Sequence, residues 1–181
     1  MARRQILATS GGSYEHALIA TNLNRAVGNR LVGKRCRVLD ANMRVATPKR
    51  MFYPDASIVC GPPQFDPRDL SSQSLTNPRA VIEVLSSTTE RYDRNDKFLH
   101  YGSVPSLEEY LLVYQDEARV ESYVRQPDGS WSYLSFVGPG ATARIRCVHV
   151  DIPLAEIYAD VALPPPPAPP LRNEQLERNP E

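Results

Sequence analysis

Ala80–Val81–Ile82–Glu83–Val84–Leu85–Ser86 decides the fold. Its apolar run has the length and β-branched content of a strand buried on both faces, as in the middle of a sheet. Glu83 stands at its centre. A carboxylate there needs a cation, a hydrogen-bond network or a metal, because stripping it of water is costly. Upstream, Tyr53–Pro54–Asp55–Ala56–Ser57–Ile58–Val59–Cys60 reads as a second strand carrying an acid. Two acids on neighbouring strands, followed by a helix that bears a lysine, is the arrangement a divalent-metal nuclease needs.

Toward the N-terminus, Gln5–Thr9 reads as a short strand and Ser10–Gly11–Gly12–Ser13 as a turn. Ser13 is placed to cap a helix whose first turn holds Glu15 and His16. Ala17, Ile19, Ala20, Leu23, Ala26, Val27 and Leu31 recur at helical spacing, which predicts an amphipathic helix over Tyr14–Val32 closed by Gly33. Cys36–Leu39 and Met43–Val45 read as strand, interrupted around Asp40–Asn42, and Thr47–Arg50 as a turn. Phe52–Val59 is predicted as one strand containing Asp55, entered irregularly at Pro54. Gly61–Arg79 is a long polar, proline-rich connection of the kind that is functional or mobile.

On the C-terminal side, Ser86–Glu90 is rich in capping residues, and Tyr92 to about Gly102 is predicted helical. Asp93, Lys97 and Tyr101 fall four apart on one face of that helix. Strands are expected at Glu109–Tyr114, Arg119–Val124 and Trp131–Val137, the last two joined at the hairpin signal Asp128–Gly129. Asp151–Tyr158 closes the domain, read as a short helix. Leu163–Glu181, with its prolines between Pro164 and Pro170, is read as an extended, disordered tail. The expected domain is therefore 1–162, a mixed α/β fold with a sheet flanked by helices and a closing antiparallel hairpin.

Composition narrows the function classes. At 181 residues, 41% hydrophobic and 23% charged, the chain is an ordinary globular protein. No apolar run approaches the length a membrane span requires, and the apolar run after Arg4 is too short for a signal peptide. A cytoplasmic protein without membrane contact is expected. Twenty-one basic residues balance twenty-one acidic ones, which argues against strong standing affinity for nucleic acid. The basic residues are unevenly spread, however: Lys34, Arg35, Arg37, Arg44, Lys49 and Arg50 cluster. Lys34, Arg35, Arg44, Lys49 and Arg50 are candidates for DNA phosphate contacts, weighed against a solvated surface. Cys36, Cys60 and Cys147 form no CxxC pair, so reduced, buried cysteines are expected rather than a disulfide or zinc site.

Each candidate has a bland alternative. Asp55 could cap a turn after a proline. Glu83 could form a buried salt bridge with Lys97 or Arg79. Lys97 alone would be a solvated helix lysine; Asp93 and Tyr101 on the same face favour a role at the site. Glu15 or His16 could complete a metal shell or orient water, and Glu15 could equally be a helix-start acid favoured by the dipole. A lone histidine is a weak signal.

Four blocks carry a resemblance. Tyr53–Pro54–Asp55–Ala56–Ser57–Ile58–Val59, Ala80 through Thr89, Tyr92–Asp93–Arg94–Asn95–Asp96–Lys97 and Val104–Pro105–Ser106–Leu107–Glu108–Glu109–Tyr110–Leu111–Leu112–Val113 together resemble the Uma-two family. Gly12–Ser13–Tyr14–Glu15–His16 adds to it, and the similarity runs from about Leu7 to Val161. That family is assigned as bacterial restriction endonucleases with the PD-(D/E)xK nuclease fold. The resemblance implies Asp55 as the motif aspartate and Glu83 as its second acid. The motif lysine position is Leu85, as in the family, and Lys97 from the following helix is the implied substitute. Relatives carry an extra helix and strand ahead of the segment matching Ile6–Ser13, so the domain is expected to be N-terminally short. Asn42, where relatives often have an acid, is a further departure.

These readings converge on a Mg²⁺- or Mn²⁺-dependent DNA endonuclease acting as a homodimer. Asp55 and Glu83 would bind metal, Lys97 would stabilise the developing charge, and Glu15 would assist. His16, Asp93 and Tyr101 are secondary candidates. The alternative is a non-catalytic interaction protein that keeps the nuclease fold and works through its proline tail.

Overall fold

The computed structural model describes residues 12–69, 73–86 and 90–165. The expected strand at Gln5–Thr9 and the tail beyond Pro165 lie outside the described residues. Helix α1 (Tyr14–Leu31) starts at Ser13, whose side chain accepts from the His16 N–H at 3.2 Å. It buries Ile19, Leu23, Ala26, Val27 and Leu31, the apolar stripe expected from the spacing.

Strands β1 (Cys36–Asp40), β4 (Ala56–Cys60), β5 (Ala80–Leu85), β6 (Glu109–Tyr114), β7 (Arg119–Arg125) and β8 (Trp131–Val137) form one sheet in the order β1-β4-β5-β6-β7-β8. Only β5 and β6 run parallel. Their crossover carries a helical segment: α2 (Glu90–Tyr92), a π-helical turn at Asp93–Lys97, and α3 (Phe98–Gly102). A small ribbon of β2 (Val45–Ala46) and β3 (Met51–Phe52) lies apart from the sheet, as does a pair of β9 (Thr142–Ile145) and β10 (Val150–Pro153). Helix α4 (Leu154–Ile157) follows β10.

The two faces of the sheet bury separate cores. On one, Ala56, Ile58, Ala80, Ile82 and Val84 meet α1, β9, β10 and α4. On the other, Val81, Leu85, Tyr110 and Leu112 meet Phe52 of the ribbon and Tyr101 of α3. β5 is buried along its whole length, as its apolar run requires.

The structure corrects several readings. Phe52–Val59 is not one strand: β3 ends at Phe52 and β4 begins at Ala56. Pro54, which has no N–H to give a ladder, and Asp55 form the break. β9 was not foreseen, and the closing segment enters as a strand before turning helical. Gly61–Arg79 is tied down in its described parts, with Leu75 bridging to both Val45 and Phe65. Cys36 and Cys60 are joined as a disulfide rather than reduced. Antiparallel pairing of β1 with β4 sets the two residues directly opposite each other, a proximity that a 24-residue separation conceals. Cys147 is free and buried.

Candidate active site

The site lies where β4, β5, α1 and the 90–102 helical segment meet. Pairing of β4 with β5 begins at Ala56 opposite Ile82, so continuing it one step sets Asp55 opposite Glu83. There the ladder stops, and the Asp55 carboxylate takes over: its Oδ2 accepts the Val84 N–H at 2.7 Å. His16, in the first turn of α1, brings Nε2 to 3.4 Å from the same oxygen. Gly12 makes room for that imidazole, since a Cβ there would fall 2.7 Å from His16 Nδ1.

Glu83 points into the buried side of the cluster, its side chain 4% exposed. Lys97 Nζ stands 3.0 Å from Glu83 Oε2 and 2.7 Å from Asp93 Oδ1. Tyr101 donates its hydroxyl to Glu83 Oε1 at 3.1 Å, and Tyr110 ties down the turn by donating to the Asp93 carbonyl at 3.0 Å. The Asp93–Lys97–Tyr101 spacing read from sequence survives in space, although a π turn rather than an α-helix carries its first half.

Electrostatics follow from burial. Desolvation pushes the Glu83 carboxyl up to about 8, with Lys97 pulling it down and the Asp55 and Asp93 charges adding to the rise. Burial works against the Lys97 ammonium, but Glu83 and Asp93 outweigh it and hold its value above the ordinary one. The hydrogen bond to Asp55 raises His16. Burial also raises the Tyr101 hydroxyl well above its usual range, so it stays a donor to Glu83.

The other candidates are dispersed. Glu15 sits in the first turn of α1, and its side chain makes no ion pair or hydrogen bond among the described residues. Lys49 and Arg50 are exposed at the tip of the β2–β3 ribbon, which leads straight to Asp55 and whose Phe52 packs on Tyr101 at 5.2 Å. Arg44 is paired with Asp69 at 2.5 Å. Lys34 reaches the Val148 and His149 carbonyls at 3.4 Å. Lys34 and Arg35 precede Cys36, at the end of β1 away from Asp55; five residues of strand put them roughly 17 Å from it.

Sequence reasoning missed one polar group on the same face. Leu112 is opposite Glu83 on one side and Glu121 on the other, so the two acids share one line across the sheet. Glu121 is buried and meets Arg94 at 2.7 Å, Arg119 at 3.0 Å and the Tyr114 hydroxyl at 3.0 Å. Arg94 and Arg119 also both lie over the Tyr114 ring, at 5.3 and 5.0 Å from its centroid. The available signal was an acid inside an apolar strand, the same one that marked Glu83.

Among the described residues no group of three or more His, Cys, Asp or Glu gathers tightly enough to hold a metal. That donor set does not suit zinc, which takes three or four protein ligands. A pair of carboxylates such as Asp55 and Glu83 is the number Mg²⁺ commonly takes from a protein, the rest of its shell being water. Asp55 meets Val84 and His16 through Oδ2, and its Oδ1 accepts no hydrogen bond among the described residues.

A mixed six-stranded sheet with a buried acid on its central parallel strand and a cation from the crossover helix defines an α/β protein of the restriction-endonuclease-like class. The sequence profile of the Uma2 (Uma-two) family, described as "Putative restriction endonuclease", matches residues 2–155, and the chain belongs to that family. Two uncharacterized proteins of Synechocystis sp. are similar to it. One is 37% identical over 73% of this chain and 68% of its own length; the other is 32% identical over 76% and 77%. A crystal structure described as a putative nuclease belonging to DUF820, from Anabaena variabilis, shares the fold. It has a TM-score of 0.66 and 15% identity, over 83% of this chain and 84% of that one. No helix among the described residues is long and apolar enough to cross a membrane.

Proposed function

We propose that the protein is a Mg²⁺- or Mn²⁺-dependent DNA endonuclease acting in the cytoplasm. The observation that carries this reading is the approach of Asp55, Glu83 and Lys97 at one end of the central strands, within a family assigned to nucleases. Asp55, through Oδ1, and Glu83 would hold the ion. When bound, it would activate a coordinated water and offset charge on the scissile phosphate. Asp93 anchors Lys97, which keeps its proton and places a positive charge where a phosphate's charge would grow. Tyr101 fixes the Glu83 rotamer, and His16 orients Asp55. Lys49 and Arg50, on the ribbon beside the site, would meet the nearest flanking phosphates, and Lys34 and Arg35 would meet phosphates several nucleotides further along. Cutting both strands of a duplex calls for two sites, hence a homodimer.

The competing reading, a non-catalytic interaction protein, finds support in the completeness of the Glu83 pairing: Lys97 and Tyr101 already satisfy both of its oxygens. A nicking assay on supercoiled plasmid separates the two. The endonuclease reading expects Mn²⁺-dependent relaxation by wild type, reduced about 10²–10³-fold by Lys97→Ala and abolished by Glu83→Gln. Absence of nicking under any divalent ion, or equal nicking by Glu83→Gln, favours the interaction protein.

A further inference from the structure

The two edges of the main sheet are treated differently. At the β1 edge the chain places charged Arg37 and Asp40 on the strand, and the Arg37 guanidinium folds back to donate to the Lys34 and Cys36 carbonyls, each at 3.0 Å. Charges and folded-back side chains are how natural sheets keep an edge from pairing further. β8, at the opposite edge, has none of these devices. Its sequence, Trp131–Ser132–Tyr133–Leu134–Ser135–Phe136–Val137, holds no charge and no proline. It pairs with β7 through seven consecutive positions without a bulge. Among the described residues no strand and no side chain hydrogen-bonds to the outer edge of β8. Tyr133 and Val137 remain 50% and 54% exposed, and Leu134 and Phe136 line an open cavity of about 280 Å³ beside Arg144 and Asp151.

We propose that β8 is the dimer interface, its outer edge pairing antiparallel with β8 of a second copy to make one sheet across the assembly. A second copy fits because the strand is self-complementary. Pairing all seven residues puts the two-fold axis at Leu134, so Leu134 meets Leu134, Tyr133 meets Ser135, Ser132 meets Phe136 and Trp131 meets Val137. No like charges face each other in that register, and the same patch serves both copies, as a closed two-fold interface demands. This deepens the homodimer named above but does not depend on metal or on cleavage.

The test uses the full chain. Sedimentation velocity at concentrations up to about 100 µM reads the oligomeric state, and hydrogen exchange reads the amides of residues 131–137. The expected result is a dimer whose β8 amides gain protection as concentration rises. Tyr133→Lys with Ser135→Lys, both at exposed positions and checked for folding by circular dichroism, should weaken the dimer at least about tenfold by setting like charges across the axis. A monomeric wild type overturns the proposal, as does a dimer indifferent to these substitutions. Protection in a monomer of the β8 amides that point away from β7 would assign its edge to the chain's own residues and would overturn it too. A wild type that dimerises through β8 yet cuts no DNA would refute the endonuclease reading and leave this interface standing.

Discussion

Glu83 and Glu121 stand on one line across the sheet, each directly opposite Leu112, and one helical segment supplies a cation to both. Lys97 serves Glu83, and Arg94, three residues earlier, serves Glu121. The π turn between Asp93 and Lys97 sets these two cations toward different acids while leaving Lys97 on Asp93. Arg94 is thus an anchor for the segment that delivers Lys97.

Loss of that anchor should be measurable apart from catalysis. Arg94→Met removes one partner from buried Glu121 but leaves Arg119 and Tyr114 in place. The expected cost is about 1–3 kcal/mol, read as a lower urea midpoint with unchanged slope. An unchanged midpoint would show that Arg119 and Tyr114 satisfy Glu121 by themselves.

The metal-free protein should lose stability as pH rises. Glu83 has a folded value of about 8 against an ordinary 4.5, so below 4.5 its proton is bound in both states. Between about 4.5 and 8 the folded state alone keeps that proton, and the stabilisation fades through this window. His16 is also raised, and its contribution likewise fades above its ordinary value. The melting temperature in EDTA should therefore fall from pH 5.5 to pH 8.5, and saturating Mg²⁺ should offset the fall because the ion requires ionised carboxylates. A melting temperature that rises with pH in EDTA would contradict the assignment of Glu83 as a buried, proton-holding acid.

The Cys36–Cys60 bridge closes a loop of 24-residue separation, which in the chain-entropy account contributes about 3–4 kcal/mol. Reduction, or Cys36→Ser with Cys60→Ser, should lower the melting temperature by about 10 °C. Divalent-ion binding should survive, because the bridge joins the ends of β1 and β4 away from Asp55. In a reducing cytosol the dithiol form would be the working one. Loss of ion binding on reduction would show that the bridge holds the site in shape.

Much of this architecture was readable from single segments. The β5 strand announced itself by an apolar run, α1 by a 3.6-residue period and a serine cap, and the β7–β8 hairpin by Asp128–Gly129, where Gly129 takes φ +84°. The Uma-two resemblance and the mixed sheet both held. What escaped were relations between distant segments. Cys36 meets Cys60, and Glu121 aligns with Glu83, only through strand register, which no local pattern encodes. The break at Pro54–Asp55 was hidden because apolar residues continue on both sides of it. The π turn was hidden because its i, i+4 pair, Asp93 and Lys97, looks the same in an α-helix. For the site, residue types and order were legible; the separation of Lys34 and Arg35 from Asp55 was not, since proximity in sequence to other basic residues says nothing about which end of a strand they occupy.

Calorimetric titration of Mn²⁺ into the full chain at pH 8, beside Asp55→Ala and Glu83→Gln, tests the central claim that these two carboxylates share an ion. The account predicts one site in the wild type, lost in each variant while both remain folded. A wild type that takes up no Mn²⁺, or variants that bind as it does, would contradict it.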